Sequence, residues 1–202
     1  MSAAGATPSV RAVRAERRRP AKPNGWWGVA IFAASEGTLF GTLIGTYFFL
    51  RFNTRHWPPP GVPEPRLVLP LLLTAVLLAT SMPMILALRA ARAGRRTLAW
   101  WLVATAFAVQ CSYFALQVHL FAEDARKLDP QGSAYASIYE TLVGADHAHV
   151  FVGLLLDLFL LARLATRLTA YRIVALRVTA FYWHFVNAVT IAVVLTQVSP
   201  RL

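Results

Sequence analysis

The sequence predicts an all-α, polytopic membrane protein, a bundle of five transmembrane helices. Of its 202 residues 57% are hydrophobic and only 14% are charged, which is the composition of an integral membrane protein. Five apolar runs are long enough to cross a bilayer as helices that rise about 1.5 Å per residue. They cover about residues 26–50, 67–88, 98–121, 142–162 and 178–198. We therefore divide the chain into a disordered basic arm, 1–25, and a five-helix transmembrane domain, 26–202.

The basic residues gather on one side of the predicted membrane. The arm, the link between spans 2 and 3 and the link between spans 4 and 5 together carry fourteen basic residues and one acid. The remaining segments carry six basic and five acidic residues outside the apolar runs. By the positive-inside rule the N-terminus is cytoplasmic and the C-terminus external. The net charge of +11 therefore indicates topology and contact with anionic lipid, and it does not indicate nucleic-acid binding.

The first span contains one ionisable residue, Glu36, near the middle of "FAASEGTLFGTLIGTYFFL". A carboxylate at this depth costs on the order of 3 kcal/mol, so such a residue indicates a function or a partner. Two interpretations stay open: a protonated or paired carboxyl that ties helices together, or a group that handles protons. Beside it, Gly37, Gly41 and Gly45 form a ridge of small residues that lets a neighbouring helix approach closely.

The second and third spans contain fewer functional signals. Pro83 removes a backbone donor and should kink span 2 within "TSMPMI". The loop at about 122–141 is the longest link that the apolar runs predict. Cys111 is the only cysteine and lies within span 3, so an internal disulfide and a paired-thiolate metal centre are both excluded.

The fourth and fifth spans carry most of the buried polar residues. Asp146, His149, Gly153 and Asp157 follow at offsets that place them on one helical face, whereas His147 points elsewhere. In span 5 His184 and Asn187 are three residues apart and share a face. We expect a buried polar seam, or the lining of a lipid cleft, that comprises Asp146, His149, Asp157, His184 and Asn187.

The histidine spacing does not match a metal or haem site. Two histidines at spacing two with single histidines on other helices are not a zinc signature. A two-haem cytochrome would need two well-spaced histidines on each of two helices, and no span offers that. We expect structural or hydrogen-bonded histidines, with no metal ligand and no catalytic residue in this chain.

Four stretches, in order from residue 26 to about 191, match the pattern of one family. "WWGVAIFAASEGTLF" fits W-G-x-x-x-F-x-x-S-E-x-x-F-F except at Leu39, and a proline-rich loop, "WPPPGVPEP", follows it. "YASIYETLVGADHAHVFVG" aligns with Tyr-x-Ser, an aromatic residue and T-G-F-H-G-x-H-V-x-x-G, and "YWHFVNAVT" resembles Y-W-H-F-V-D-x-x-W. Together these stretches resemble subunit III of the haem-copper terminal oxidases, in the short bacterial form with five helices.

The sequence departs from this pattern at four polar or aromatic positions. Asp146 replaces the first histidine of H-G-x-H, and Asn187 replaces the aspartate that follows H-F-V. Thr190 replaces the next tryptophan, and Leu120 replaces the acid of Q-x-x-E. The chain is therefore expected to be a divergent branch of the family.

The resemblance implies an accessory core subunit of a proton-pumping oxidase in aerobic respiration, in the bacterial cytoplasmic membrane. Family members bind no haem or copper, which belong to subunits I and II. They pack beside subunit I, bind phospholipids in a cleft between helices and support proton uptake; a larger respiratory supercomplex is a further candidate partner. Glu36 matches the family's buried, carbodiimide-reactive glutamate. We expect it to be desolvated, largely neutral and hydrogen-bonded to His149 or His184.

Three other functions stay open at this stage. The same fold could serve a nitric oxide reductase or a divergent oxidase. A stand-alone transporter would need discontinuous helices or inverted repeats, and the five spans show no internal symmetry. A non-redox membrane scaffold that binds lipid is the third alternative.

Overall fold

The computed structural model describes residues 24–201, which form an all-helical bundle. Helix α1 begins at Asn24, so the last two residues of the predicted arm are helical, and residues 1–23 lie outside the described part. The six helices are α1 (Asn24–Phe52), α2 (Val68–Ala79), α3 (Ser81–Arg92), α4 (Arg96–Ala125), α5 (Ala134–Thr166) and α6 (Ala170–Val198), followed by a short 3₁₀ turn, Ser199–Arg201.

The predicted fold class is confirmed. The described residues contain five helical segments that are long and apolar enough to cross a membrane, because α2 and α3 together make one span. The sidedness of the termini stays a prediction.

The break between α2 and α3 lies at Thr80, three residues before Pro83. Proline cannot donate to the carbonyl four residues back, so the helical ladder is interrupted at this point. At the break the Thr80 hydroxyl donates to the Leu77 carbonyl oxygen at 2.6 Å. The predicted kink in span 2 is confirmed.

The last two spans begin earlier than the apolar runs predict. Helix α5 starts at Ala134 and not near residue 142, and α6 starts at Ala170 and not near residue 178. Each start has an N-cap that the hydropathy pattern does not show: Ser133 accepts from the Ala136 amide and Thr169 from the Arg172 amide. The predicted loop at about 122–141 is therefore too long, since only residues 126–133 link α4 to α5.

Helix α6 is the centre of the bundle and α1 is its most open member. Helix α6 packs against α1, α2, α3 and α5, whereas α1 packs against α5 and α6 alone among the described elements. Trp183 of α6 is fully buried in the main hydrophobic cluster, with Leu77 and Met84. One long side of α1 is consequently left facing outward.

The two ends of the bundle differ in charge. The arginine-rich end holds the start of α1 and the turns between α3 and α4 and between α5 and α6. There Arg96 donates to the carbonyl oxygens of Ala165 and Thr166, at 2.6 and 2.9 Å, and so caps the end of α5. The opposite end, which we call the acidic end, holds the link 53–67, the loop 126–133 and the 3₁₀ turn.

Candidate functional site

Glu36 of α1 and His149 of α5 form a hydrogen-bonded pair inside the bundle. His149 Nε2 lies 3.0 Å from Glu36 Oε2, and the two side chains are 13% and 20% exposed. The other ring nitrogen, His149 Nδ1, lies 2.7 Å from the carbonyl oxygen of Ala145. A carbonyl oxygen can only accept, so Nδ1 carries a proton and donates it.

This geometry fixes the number of protons that the pair shares. With Nδ1 protonated, the bond between Nε2 and the carboxyl needs one more proton. That proton is on Glu36, which makes a neutral pair, or on the imidazole, which makes an ion pair. Either way the pair has no net charge, which is how a carboxyl is tolerated at this depth. The arrangement agrees with the expectation of a desolvated, hydrogen-bonded Glu36.

Aromatic side chains of α1 contact the His149 ring, and one of α6 binds its backbone. Its centroid lies 5.0 Å from that of Phe40, in an edge-on contact, and 6.5 Å from that of Phe32. Tyr182 of α6 donates its hydroxyl hydrogen to the His149 carbonyl oxygen at 2.9 Å. The pair is therefore the point at which α1, α5 and α6 meet.

Two further carboxyl groups lie on α5, on either side of His149 along the helix. Asp146, 5% exposed, accepts a hydrogen bond from the Thr190 hydroxyl of α6 at 2.8 Å. Asp157 is fully buried and its Oδ2 accepts from Trp183 Nε1 at 2.8 Å. The Gln110 amide of α4 lies 2.8 Å from the same oxygen, in the orientation in which its nitrogen donates to Asp157.

The two remaining residues of the expected seam, Asn187 and His184, differ in burial. Asn187 is buried and donates from Nδ2 to the Ser81 hydroxyl at 2.8 Å, next to the break in span 2. His184 is exposed, which contradicts its expected place in a buried seam. The inward face of α6 runs through Trp183, Asn187 and Thr190, and His184 lies just outside it because successive residues turn by about 100°.

The predicted face of α5 is thus inward, but its members do not form one site. Asp146 faces α6, His149 faces α1, and Asp157 faces both α4 and α6. Gly153 lies between them and lets Trp183 approach the helix backbone. His147 leaves this face as expected and lies among Phe114 and Phe121 of α4.

The glycine ridge of α1 contacts no helix of the described chain. Gly37, Gly41 and Gly45 are exposed, and a methyl group built on any of them would meet no atom within 4 Å. Helix α1 packs inward through a different face, on which Phe40 and Tyr47 are buried. The close helix contact predicted at the ridge has no partner within residues 24–201.

One residue of this site, Gln110, is not among the candidates that the sequence predicts. It is fully buried, and only its contact with Asp157 shows its role. An amide side chain near the middle of the apolar run of span 3 is the available signal. Among residues 24–201, no three histidine, cysteine or acidic side chains are grouped so that they could hold a metal ion.

The family described as "Cytochrome c oxidase subunit III" matches residues 20–197. The chain belongs to the cytochrome c oxidase subunit III family. As a member of this family it is an accessory subunit of a haem-copper oxidase and part of an oxidoreductase complex. The resemblance derived from the four sequence stretches is confirmed.

Relatives of this subunit III are named for more than one kind of oxidase. The chain is similar to cytochrome bo(3) ubiquinol oxidase subunit 3 of Pseudomonas aeruginosa, with 31% identity over 84% of this chain and 80% of the relative. It is similar to a probable cytochrome c oxidase subunit 3 of Nocardia farcinica, with 32% identity over 84% of each chain. A probable quinol oxidase subunit 3 of Staphylococcus haemolyticus is 29% identical over 83% of each chain.

Proposed function

We propose that this subunit III stabilises subunit I of a proton-pumping oxidase in the bacterial cytoplasmic membrane and that its Glu36–His149 pair supports proton uptake there. The observation that carries this proposal is the 3.0 Å hydrogen bond between His149 Nε2 and the Glu36 carboxyl, on a helix whose outer side is open. The N-terminus lies in the cytoplasm because the arginine-rich end follows the positive-inside rule. Haem and copper reside in subunits I and II, and this chain supplies packing, lipid contacts and a protonatable pair.

The exposed ridge of α1 is the proposed contact with a helix of another subunit. Small residues at every fourth position let helix backbones approach closely in a membrane, where packing drives association. The hydroxyl groups of Thr38, Thr42 and Thr46 donate to carbonyl oxygens of their own helix. The face therefore presents no polar group that lipid would leave unpaired, and it is free to pack against a helix of subunit I.

An apolar groove at the arginine-rich end is the proposed phospholipid site. It has a volume of about 480 Å³ between α5 and α6, and Phe159, Tyr171 and Val178 are among its lining residues. The Arg163 guanidinium lies over the Phe159 ring at 5.1 Å from its centroid. Acyl chains in the groove would bring an anionic headgroup to Arg163, and each basic side chain near the surface contributes about 1 kcal/mol to such binding.

The proposed function is tested by purifying the tagged chain from its native membrane in mild detergent. We expect haem-containing partners in the preparation, a reduced-minus-oxidised difference spectrum with haem bands, and oxygen consumption. Turnover of nitric oxide in place of oxygen would show that the chain belongs to a nitric oxide reductase complex. A stable preparation without haem would contradict the role in an oxidase and favour a non-redox scaffold.

The ridge contact makes a separate prediction for Gly41→Leu. The larger side chain separates the two helices, and overpacking of this kind costs about 1–3 kcal/mol, roughly a tenfold to hundredfold weakening of association. We expect most haem to be lost from the purified chain, measured by the ratio of haem to subunit III. The matched control is Leu39→Phe, two residues from Gly41 and so about 160° away on the helix, which should keep its haem. Equal haem content in both variants would contradict the ridge contact.

The Glu36–His149 pair makes a prediction about chemical labelling. A carbodiimide reacts with a protonated carboxyl that it can reach from lipid, and Glu36 lies on the open helix. We expect mass spectrometry of the purified complex to find the adduct on Glu36 and to lose it in Glu36→Gln. The enclosed Asp157 should stay unlabelled because it is fully buried. Labelling of other carboxyl groups with none on Glu36 would show that the pair is not an accessible protonated site.

A further inference from the structure

A narrow polar cavity enters the bundle at its acidic end. Arg66, Asp124 and Tyr139 line its mouth, and Asp146 and His147 line its inner end. Seven residues of α5 separate Tyr139 from Asp146, so the cavity reaches about 10 Å into the bundle. Its volume is about 30 Å³, which is room for one or two water molecules.

The cavity exists because α4 and α6 do not pack directly against each other in the described chain. Both pack against α5, and the gap between them is lined by Gln117 of α4 and by Val193, Val194 and Gln197 of α6. Gln117 Nε2 donates to the Tyr113 hydroxyl at 3.0 Å. Polar side chains therefore follow the cavity from its mouth to Asp146.

Charged groups keep the mouth hydrated. Arg66 lies 2.6 Å from the nearer oxygen of Glu123 and 3.6 Å from Asp124 Oδ1, and all three side chains are partly exposed. The hydrogen bond from Arg66 to Glu123 raises the pKa of the Arg66 guanidinium, so it stays charged. Tyr139 donates its hydroxyl hydrogen to Asp124 Oδ2 at 3.1 Å.

The inner end holds polar groups that protein atoms satisfy only in part. Within residues 24–201, Asp146 has one hydrogen-bond partner, Thr190, although a carboxyl group can accept about four hydrogen bonds. His147 Nδ1 lies 2.6 Å from the Val143 carbonyl oxygen, and its buried Nε2 has no hydrogen-bond partner in the same range. Buried polar groups of this kind are ordinarily satisfied by ordered water.

The other titratable groups near Asp146 come from each helix packed around it. His149 interacts with it electrostatically from the next turn of α5, Tyr113 from α4 and Tyr182 from α6. Glu36 is bonded to His149 on the side that faces α1. None of these groups lines the cavity, so the cavity leads to Asp146 and His147 and not to the Glu36–His149 pair.

We propose that this cavity is a water-filled inlet through which Asp146 exchanges protons with the aqueous phase at the acidic end. A proton that leaves the Asp146 carboxyl passes to a cavity water, and a proton of that water passes on to Asp124 or to bulk water. The reverse path returns a proton, so no redox partner is needed. The family pattern has histidine where this chain has Asp146, so the exchanging carboxyl is not a feature of that pattern.

The inlet is tested by cysteine accessibility in a Cys111→Ala background, in sealed membrane vesicles of both orientations that carry the full-length chain. Val143→Cys places a thiol on the cavity wall, and Val150→Cys places one two turns away on α5. Both valines are buried, but only Val143 lines the cavity. Gln131→Cys, in the exposed loop of the acidic end, reports which face of each vesicle that end occupies. The probe is silver ion, and the readout is the thiol left for maleimide labelling after denaturation.

We expect silver to block Val143→Cys about tenfold faster than Val150→Cys, because the thiolate that reacts forms only where water reaches it. The reaction should occur from the same side as that of Gln131→Cys. Combining Val143→Cys with Val194→Met, which fills the cavity, should slow the reaction to the rate of Val150→Cys. Equal rates at the two valines, or reaction from the arginine-rich side, would overturn the inlet. Haem retained in the purified complex shows that each variant has folded.

Discussion

Replacing Gly153 with valine is expected to prevent stable packing of α5 against α6. A Cβ atom at this position would lie 2.7 Å from Trp183 Cζ2 and 3.0 Å from two further atoms of the same ring. The indole cannot retreat, since it is fully buried and its Nε1 donates to Asp157. Overpacking ordinarily costs about 1–3 kcal/mol, and a clash with a fixed ring belongs at or above the top of that range. The measurement is the thermal unfolding of the purified complex, followed by loss of this subunit.

The chain offers a matched control for this variant in Gly144→Val. Gly144 is on the same helix, but the nearest atom to a Cβ there is Phe121 Cζ at 4.0 Å, an ordinary contact distance. We expect this variant to unfold close to the wild-type temperature. If both variants unfolded alike, Trp183 would have room to move and the proposed close packing would be wrong.

Replacing Asp157 with alanine is expected to have the second-largest effect. The variant removes the acceptor of two buried N–H groups, that of Trp183 Nε1 and one of the Gln110 amide, whose nitrogen keeps its second acceptor, the Ala106 carbonyl oxygen. Each unsatisfied donor costs about 1–3 kcal/mol, and alanine adds a cavity beside the ring. We expect a lower unfolding temperature together with a changed tryptophan fluorescence spectrum, because the indole loses its hydrogen bond.

The conservative variant Asp157→Asn keeps a hydrogen-bond acceptor at this position but cannot ionise. Trp183 and Gln110 both donate to Oδ2, so an amide oxygen in that position can still accept from both, whereas the amide nitrogen takes the place of Oδ1 and brings two buried N–H groups that need acceptors. We expect a loss between those of the wild type and of Asp157→Ala. Wild-type stability in Asp157→Ala would mean that water replaces the carboxyl at no cost and that Asp157 does not hold α4, α5 and α6 together.

The sequence by itself determined the membrane spans, the family and the residues that carry the polar chemistry. Spans are visible in one dimension because a bilayer demands about 20 apolar residues in a row and few charges. The 3.6-residue period was enough to place Asp146, His149 and Asp157 on one face of α5. The resemblance to the family led to two expected partners for Glu36, His149 and His184, of which the structure brings His149 to it.

Only the tertiary structure decided which face of each helix is inward and where each helix begins. Lipid tails are as apolar as a protein core, so apolar composition alone does not distinguish a lipid-facing residue from a buried one. For this reason His184, expected in the buried seam, is exposed, and the ridge at Gly37, expected to contact a neighbouring helix, contacts none among residues 24–201. Caps such as Ser133 extend helices beyond the membrane, where hydropathy carries no signal. The contact of Gly153 with Trp183 is so close that it leaves no room for a side chain at residue 153. It depends on how two helices meet, and only the packed bundle defines it.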